Sequence, residues 1–254
     1  MQKIEVSRAR AGWTPSKTPG TGEDPMRDCA ERVIACYMAL ASAQQHLLDP
    51  LLAGATPVQW AHYPDDDVVD EACGYQYFYH SHSPQDRPHA SDHGHFHLFA
   101  RSAAHLDKID PAHEARFLRG IKAAPAVDAK TAALLCIGLD AKGVPISLFT
   151  VNRWVTGDHL LSADATLALL DEFRLNDSGP ASINAWLKAM IGLFWPQIVD
   201  LVRRRDRQLA ALCASGKHGG DILDDPGIEL LSNLDIDIDQ QLRRASRRGI
   251  LRQR

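Results

Sequence analysis

Residues 74–82, GYQYFYHSH, and residues 93–101, HGHFHLFAR, decide the fold, because in both segments two kinds of side chain alternate along the chain. Successive side chains of an extended strand point to opposite faces, so the tyrosines of the first segment share one face and its histidines share the other. Aromatic residues also favour strands. The two segments therefore predict a histidine-rich β-hairpin over residues 75–101.

The second segment places its three histidines on one face as well. His93, His95 and His97 are two residues apart, so a strand points them all the same way. We expect the strands to pair with His82 opposite His95 and His80 opposite His97, because this register puts like residues together. The same register forms two further pairs: Phe78 with Phe99, and Gln76 with Arg101.

This crowding of imidazoles predicts a metal site. Directly opposed side chains of paired strands have Cβ atoms about 4.5–5.5 Å apart, which allows several ring nitrogens to reach one ion at roughly 2.0–2.1 Å. Imidazole is a good ligand for zinc, iron, copper and nickel. We predict that one such ion per chain is bound by four residues: His80, His82, His95 and His97. Three neighbours are candidates for additional ligands: His89, Asp92 and His93.

The segment before the hairpin, residues 62–70 (HYPDDDVVD), is acidic. We expect residues 65–67 to form a solvated turn. His62 or one of the acidic residues is a further candidate for completing the metal shell.

The rest of the chain predicts an α+β fold. Two more strands follow over residues 133–140 and 144–156, joined by a turn that contains Gly143. Helical periodicity occurs on both sides of the strands, over residues 25–52, 111–122, 163–173, 182–216 and from about 235 to the end. One block of strands flanked by helices predicts an antiparallel sheet of about four strands in two hairpins, packed against N-terminal and C-terminal helices.

Helix boundaries follow from capping residues. Asp24, which precedes a proline, and Ser162 are predicted N-caps, because their side-chain oxygens accept hydrogen bonds from the free N–H groups of a first turn. Ser182 is predicted to open a long helix that ends near Gly216. Pro196 removes one backbone N–H within that helix, so we expect a kink there.

Composition and organisation narrow the class of protein. The 254-residue chain has a formal net charge of −4, so no strong field attracts nucleic acid or an anionic membrane.

Residues 1–24 predict a flexible arm, and residues 25–254 predict one domain. The sequence shows neither a start typical of a signal peptide nor a long apolar run, so we expect a cytoplasmic protein. We expect its partner to be a small molecule. The five cysteines are scattered, so free thiols are expected.

Residues 93–99, HGHFHLF, resemble the H-x-H-x-H-x-x signature of histidine-triad nucleotide hydrolases and transferases. The resemblance implies nucleotidyl or phosphoryl transfer, with His95 in the position of the nucleophile. Gly94 departs from that signature, since an apolar residue is expected there.

Three stretches, residues 76–82, 93–101 and 143–157, are together similar to an uncharacterised bacterial protein family of unknown function. The resemblance implies one fold unit that spans most of the chain, and it implies no particular activity.

The sequence therefore leaves three alternative functions. A histidine-only site with an open coordination position predicts a metalloenzyme, hydrolytic with zinc and oxidative with iron or copper. A closed site predicts metal storage or sensing, and the histidine-triad resemblance implies a metal-free nucleophile. For an enzyme, Asn152 and Arg153 at the end of the fourth strand are candidate catalytic residues that would orient a bound anion or carbonyl.

Overall fold

The computed structural model describes residues 24–82, 92–216 and 220–252, with side chains as far as residue 247. These residues form an α+β fold with one six-stranded antiparallel sheet, in which each strand pairs with the next in chain order. The strands are β1 Tyr63–Asp70, β2 Tyr75–Ser81, β3 Gly94–Arg101, β4 Thr131–Leu139, β5 Pro145–Val151 and β6 Leu230–Asp235. The described helices are α1 Pro25–Ser42, α2 Asp49–Leu52, α3 Ser102–His105, α4 Pro111–Gly120, α5 Arg153–Thr156, α6 Ala163–Asp171, α7 Ala181–Leu193, α8 Trp195–Ala214 and α9 Ile238–Arg252.

The α+β class is confirmed, whereas the expectation of about four strands was wrong. The two additional strands, β1 and β6, lie at the edges of the sheet. Residues 65–67, predicted to be a solvated turn, belong to β1, whose pairing with β2 is irregular between Tyr63 and Val68. An edge strand pairs on one side only and tolerates charged residues and bulges, so neither strand needs a clear alternation of apolar residues.

Strand β5 is shorter than predicted. It ends at Val151, and Asn152 becomes the N-cap of α5, with its side-chain oxygen accepting a hydrogen bond from the Arg153 backbone N–H. The Asn152 amide also donates to the carbonyl oxygens of Ile222 and Ile228, at 3.0 Å each. The buried amide thus turns the chain from strand into helix.

Two long helices predicted from periodicity are each divided in the structure. Residues 25–52 form α1, which ends at Ser42, and the short α2, which begins at Asp49. Residues 182–216 form α7 and α8, which are bent by 75°. Pro196 lies in the first turn of α8, where its missing N–H costs no helical hydrogen bond. Ser182 lies inside α7, whose N-cap is Pro180.

In the described part of the chain, one bent pair of helices has the length and composition of a membrane-spanning segment. Among the described residues no single helix is long and apolar enough to cross a bilayer, and only α7 and α8 taken together meet that requirement by length and composition. Buried side chains of both helices belong to the main core of the protein.

The sheet packs one face against the helices, and the tyrosines of β2 point to that side. Tyr75, Tyr77 and Tyr79 are fully buried in the main core. The Tyr75 hydroxyl donates to the Leu169 carbonyl in α6, and the Tyr77 hydroxyl donates to the Asn184 side chain in α7. The predicted alternation is thereby confirmed, and His80 of β2 lies on the opposite face of the sheet.

Candidate metal centre

The pairing of β2 with β3 brings the histidines together in a register that differs from the expected one. His80 lies opposite His95, and Phe78 lies opposite His97. The predicted pairs of His82 with His95 and His80 with His97 were therefore wrong by two residues. A shift of one residue would turn every side chain to the other face, whereas a shift of two keeps the faces unchanged. The histidine face was thus predicted correctly.

The observed register requires glycine at position 94. It pairs with Ser81, and a Cβ atom at Gly94 would lie 2.3 Å from the Tyr79 hydroxyl and 2.4 Å from the His80 carbonyl oxygen. Only glycine fits this close approach. The hairpin therefore pairs at the position where the absent side chain of β3 makes room for the tyrosine of β2.

Three imidazoles meet at His95. Its Nε2 atom lies 2.9 Å from Nε2 of His80 and 2.9 Å from Nε2 of His97. A neutral imidazole nitrogen has either one hydrogen or one lone pair, so it can satisfy one such contact well and not two. In a tetrahedral site with metal–nitrogen distances of 2.0–2.1 Å, ligand nitrogens are about 3.3 Å apart. The observed spacing is close to this value.

His82 completes the group. One ring nitrogen from each of His80, His82 and His95 lies within 4.8 Å of the other two, which makes these three residues a candidate ligand set. The His82 ring is 4.6 Å from that of His80 and 4.8 Å from that of His95. We call the four residues His80, His82, His95 and His97 the histidine cluster.

Asp92 orients the central imidazole. Its Oδ2 atom lies 2.9 Å from Nδ1 of His95, and the two side chains are only 7% and 3% exposed. A carboxylate at Nδ1 holds the hydrogen on that nitrogen, so the lone pair is on Nε2 and points at His80 and His97. Metal-binding histidines commonly have a carboxylate in this position. Asp92 was predicted as an additional ligand, and in the structure its carboxylate is hydrogen-bonded to His95.

His97 is held by aromatic neighbours and by a thiol. Its ring stacks on Phe78 and Phe99, and its Nδ1 atom lies 3.2 Å from Sγ of Cys136. Burial lowers the pKa of His97 well below the usual value, and the nearby imidazoles, that of His95 most strongly, lower it further. The ring is therefore neutral at physiological pH, which is the form that binds metals.

Aromatic side chains surround the cluster. The ring of Phe149 in β5 meets that of His95 edge-on, with the ring centroids 4.8 Å apart. Trp60 meets His82 in the same way, with the centroids 4.7 Å apart. Trp60 is 56% exposed, so its ring stands between the cluster and solvent. This arrangement limits access of water to the imidazoles.

Sequence reasoning missed Cys136, Phe149 and Trp60. The first two are directly paired on β4 and β5, and their positions follow from the strand alternation once the order of strands is known. Trp60 precedes β1 in a segment without periodicity, and no pattern in the sequence placed it near the hairpin.

His62 lies beside the donor group, with its ring centroid 6.1 Å from that of His80, and His93 makes separate contacts. His62 stacks on Phe78, and its Nδ1 atom lies 2.8 Å from Oδ1 of Asp67. His93 is exposed, and its carbonyl accepts a hydrogen bond from the His82 backbone N–H. His89 lies outside the described residues.

The candidate catalytic residues make other contacts. Asn152 caps α5, as described above, and Arg153 forms ion pairs with Asp221 and Asp224 at 2.9 and 2.8 Å. Both side chains are buried and connect the end of β5 to the segment that precedes β6. A catalytic role for either residue remains a prediction.

Comparison with known proteins identifies a family. A family model described as a domain of unknown function (DUF6969) matches residues 27–236. This range covers well over half of the chain and includes all six strands. No curated protein and no solved structure matches the chain.

Proposed function

We propose that the chain, which belongs to the DUF6969 family, is a transition-metal-binding protein whose ligands are in the histidine cluster. The observation that carries the proposal is the position of His95 Nε2, which lies 2.9 Å from the Nε2 atoms of both His80 and His97. Buried imidazoles at this spacing need either a shared proton at each contact or a common cation. One bound ion would replace the contact between His80 and His95, whose donor atoms form one candidate ligand set with that of His82.

The surroundings fit a metal site. The carboxylate of Asp92 orients His95, and the thiol of Cys136 lies beside His97. Conversion of the 2.9 Å contacts to a tetrahedral spacing of about 3.3 Å requires movements of only a few tenths of an ångström. Side-chain rotation within the hairpin is sufficient for such movements, so the strands need not separate.

We propose further that the site belongs to a metalloenzyme. His80, His82 and His95 are the residues whose donor atoms are mutually close, and three protein ligands leave a coordination position for water or substrate. The bound ion would supply Lewis acidity for hydrolysis if it is zinc, or redox chemistry if it is iron or copper. The protein contributes orientation through Asp92 and shielding from water through Trp60 and Phe149.

A metal-free nucleophile at His95 fits the geometry less well. A nucleophile must approach the atom that it attacks to about 3–3.5 Å. The imidazoles of His80 and His97 occupy that space beside Nε2 of His95. The histidine-triad alternative therefore requires these rings to move, whereas metal binding uses them where they are.

Metal content tests the proposal. The purified 254-residue chain should contain about one equivalent of a transition metal, both as isolated and after reconstitution with zinc, cobalt, copper or nickel and removal of excess metal. The double variant His82→Ala, His95→Ala should lose it and keep its helical circular dichroism. The matched control is His93→Ala, which removes an exposed histidine of the same hairpin and should keep the metal. Undiminished metal in the double variant would contradict the proposal.

A second measurement separates an enzyme site from a storage site. The visible spectrum of the cobalt-loaded chain reports the number and kind of ligands, and His97→Ala tests the fourth histidine. An unchanged spectrum would support three ligands and an open position. A changed spectrum with weaker cobalt binding would identify His97 as the fourth ligand of a closed site, which argues for storage or sensing.

A further inference from the structure

We propose that a second site, a cavity of about 320 Å³ remote from the histidine cluster, binds a neutral and largely aliphatic small molecule. The cavity lies between α4 and the segment that connects α5 with α6. Its volume is within the range of small-molecule sites in proteins, about 300–1,000 Å³. This inference does not depend on metal binding.

The cavity and the histidine cluster are at opposite ends of β4. His159, which lines the cavity, pairs with Ala132 at the start of β4. His95 pairs with Gly138 near the end of the same strand. His97 of the cluster pairs with Cys136, four residues of extended chain from Ala132, a span of about 13 Å. The cavity wall and the cluster are therefore separate sites.

The cavity wall is mainly apolar. Leu160 and Leu161 are buried at its base, and Leu106, Ile109 and Leu118 are half-buried around it. Prolines and alanines provide most of the remaining surface. Removal of these side chains from water on binding would stabilise a complex by about 25 cal/mol per Å² of apolar area. An aliphatic ligand obtains this energy without forming hydrogen bonds.

The polar groups of the wall are already engaged. The two carboxylate oxygens of Glu114 accept hydrogen bonds from the Ser162 backbone N–H and hydroxyl, at 2.7 and 2.6 Å. A ring nitrogen of His159 lies 3.1 Å from the Ala129 carbonyl oxygen. These groups gain little from a polar ligand, because a new hydrogen bond would replace an existing one.

The charges of the wall disfavour an anion. Among the described residues that line the cavity, Arg153 is the one with a permanently cationic side chain, and it is paired with both Asp221 and Asp224. The three carboxylates of Asp221, Asp224 and Glu114 carry more negative charge than the arginine carries positive charge. A fatty-acid carboxylate would lose its hydration without finding an available cation, a cost that a hydroxyl group does not have. The ligand class is therefore neutral.

Calorimetric titration with a matched pair of probes tests the ligand class. Octan-1-ol and octanoate have the same alkyl chain and differ in charge. We expect octan-1-ol to bind with saturation at one site per chain, and octanoate to bind at least about tenfold more weakly, a difference of about 1.4 kcal/mol. Failure of octan-1-ol to bind, or equal binding of octanoate, would overturn the proposal.

Substitutions on α4 locate the binding site. Ala115→Trp places an indole in the cavity and should weaken octan-1-ol binding at least about tenfold. Ala112→Trp is the control, because Ala112 is exposed on the same helix and does not line the cavity. If Ala115→Trp fails to fold, Ala126→Trp fills the cavity from the opposite loop. Unchanged affinity in a folded cavity-filling variant, or an equal loss in the control, would show that the alcohol binds elsewhere.

Discussion

His80 and His95 are directly opposed on the neighbouring strands β2 and β3, and their Nε2 atoms are 2.9 Å apart. The backbone ladder of the hairpin, together with the pairing of β3 with β4, holds both Cα positions. A ligand pair on regular strands is positioned more accurately than one on loops. The candidate centre is thus formed by the sheet itself.

The first prediction concerns Asp92, which holds the tautomer of His95. Asp92→Asn should lower metal affinity about 10- to 100-fold while leaving every histidine in place. An amide can still accept a hydrogen bond from Nδ1, but it no longer stabilises positive charge on the bound imidazole. Competition with a chromophoric chelator measures the change. Asp66→Asn, an exposed acid of β1, is the control, and equal affinities of the two variants would contradict the role of Asp92.

The second prediction concerns the close approach at Gly94. Gly94→Ala should lower the free energy of unfolding by about 2–3 kcal/mol, because the added Cβ overlaps the Tyr79 hydroxyl and the His80 carbonyl oxygen. Chemical denaturation measures this loss. Gly120→Ala at the end of α4, where nothing lies within 4 Å of a new Cβ, should be neutral or slightly stabilising. A neutral Gly94→Ala would show that the hairpin does not need this contact.

The third prediction separates a structural from a catalytic role of Arg153. Arg153→Met should lower the free energy of unfolding by about 2 kcal/mol, because Asp221 and Asp224 lose their shared partner. It should leave metal stoichiometry and the cobalt spectrum unchanged. A stable variant would contradict the structural role of Arg153, and an altered cobalt spectrum would contradict its separation from the metal centre.

The fourth prediction concerns pH and His105, whose ring packs against Tyr75 and which does not belong to the histidine cluster. His105 is buried in α3, and a ring nitrogen lies 3.1 Å from the Cys73 carbonyl oxygen. Burial lowers its pKa in the folded protein. As the pH falls below about 6.5, the unfolded chain takes up this proton before the folded chain does, so stability falls by at most about 1.4 kcal/mol per pH unit.

Urea denaturation of the metal-free protein at pH 7.5 and 5.5 tests this expectation. His105→Gln keeps a donor for the Cys73 carbonyl and does not titrate, so its stability should fall less over this interval than that of the parent chain. His97, whose pKa is also lowered, is present in both proteins and contributes equally. Identical losses in the two proteins would show that His105 does not contribute to acid sensitivity.

Local patterns predicted the features that depend on neighbouring residues. The tyrosines and the histidine of β2 were assigned to the correct faces, and Asp24 and Ser162 accept hydrogen bonds in the first turns of α1 and α6. The residues of α4 were identified within two positions. Each of these features follows from side-chain alternation or from a backbone N–H without a helical partner, and both are short-range effects.

The amino-acid sequence by itself determined which side chains share a face, and therefore that the histidines would be close to one another. Tertiary structure decided which of them touch. Alternation has a period of two, so a register shifted by two residues satisfies it equally well. The observed register is the one in which Tyr79 packs closely over Gly94. Strand order then placed Cys136 and Phe149 beside the cluster, because contacts between distant segments depend on how the whole sheet pairs.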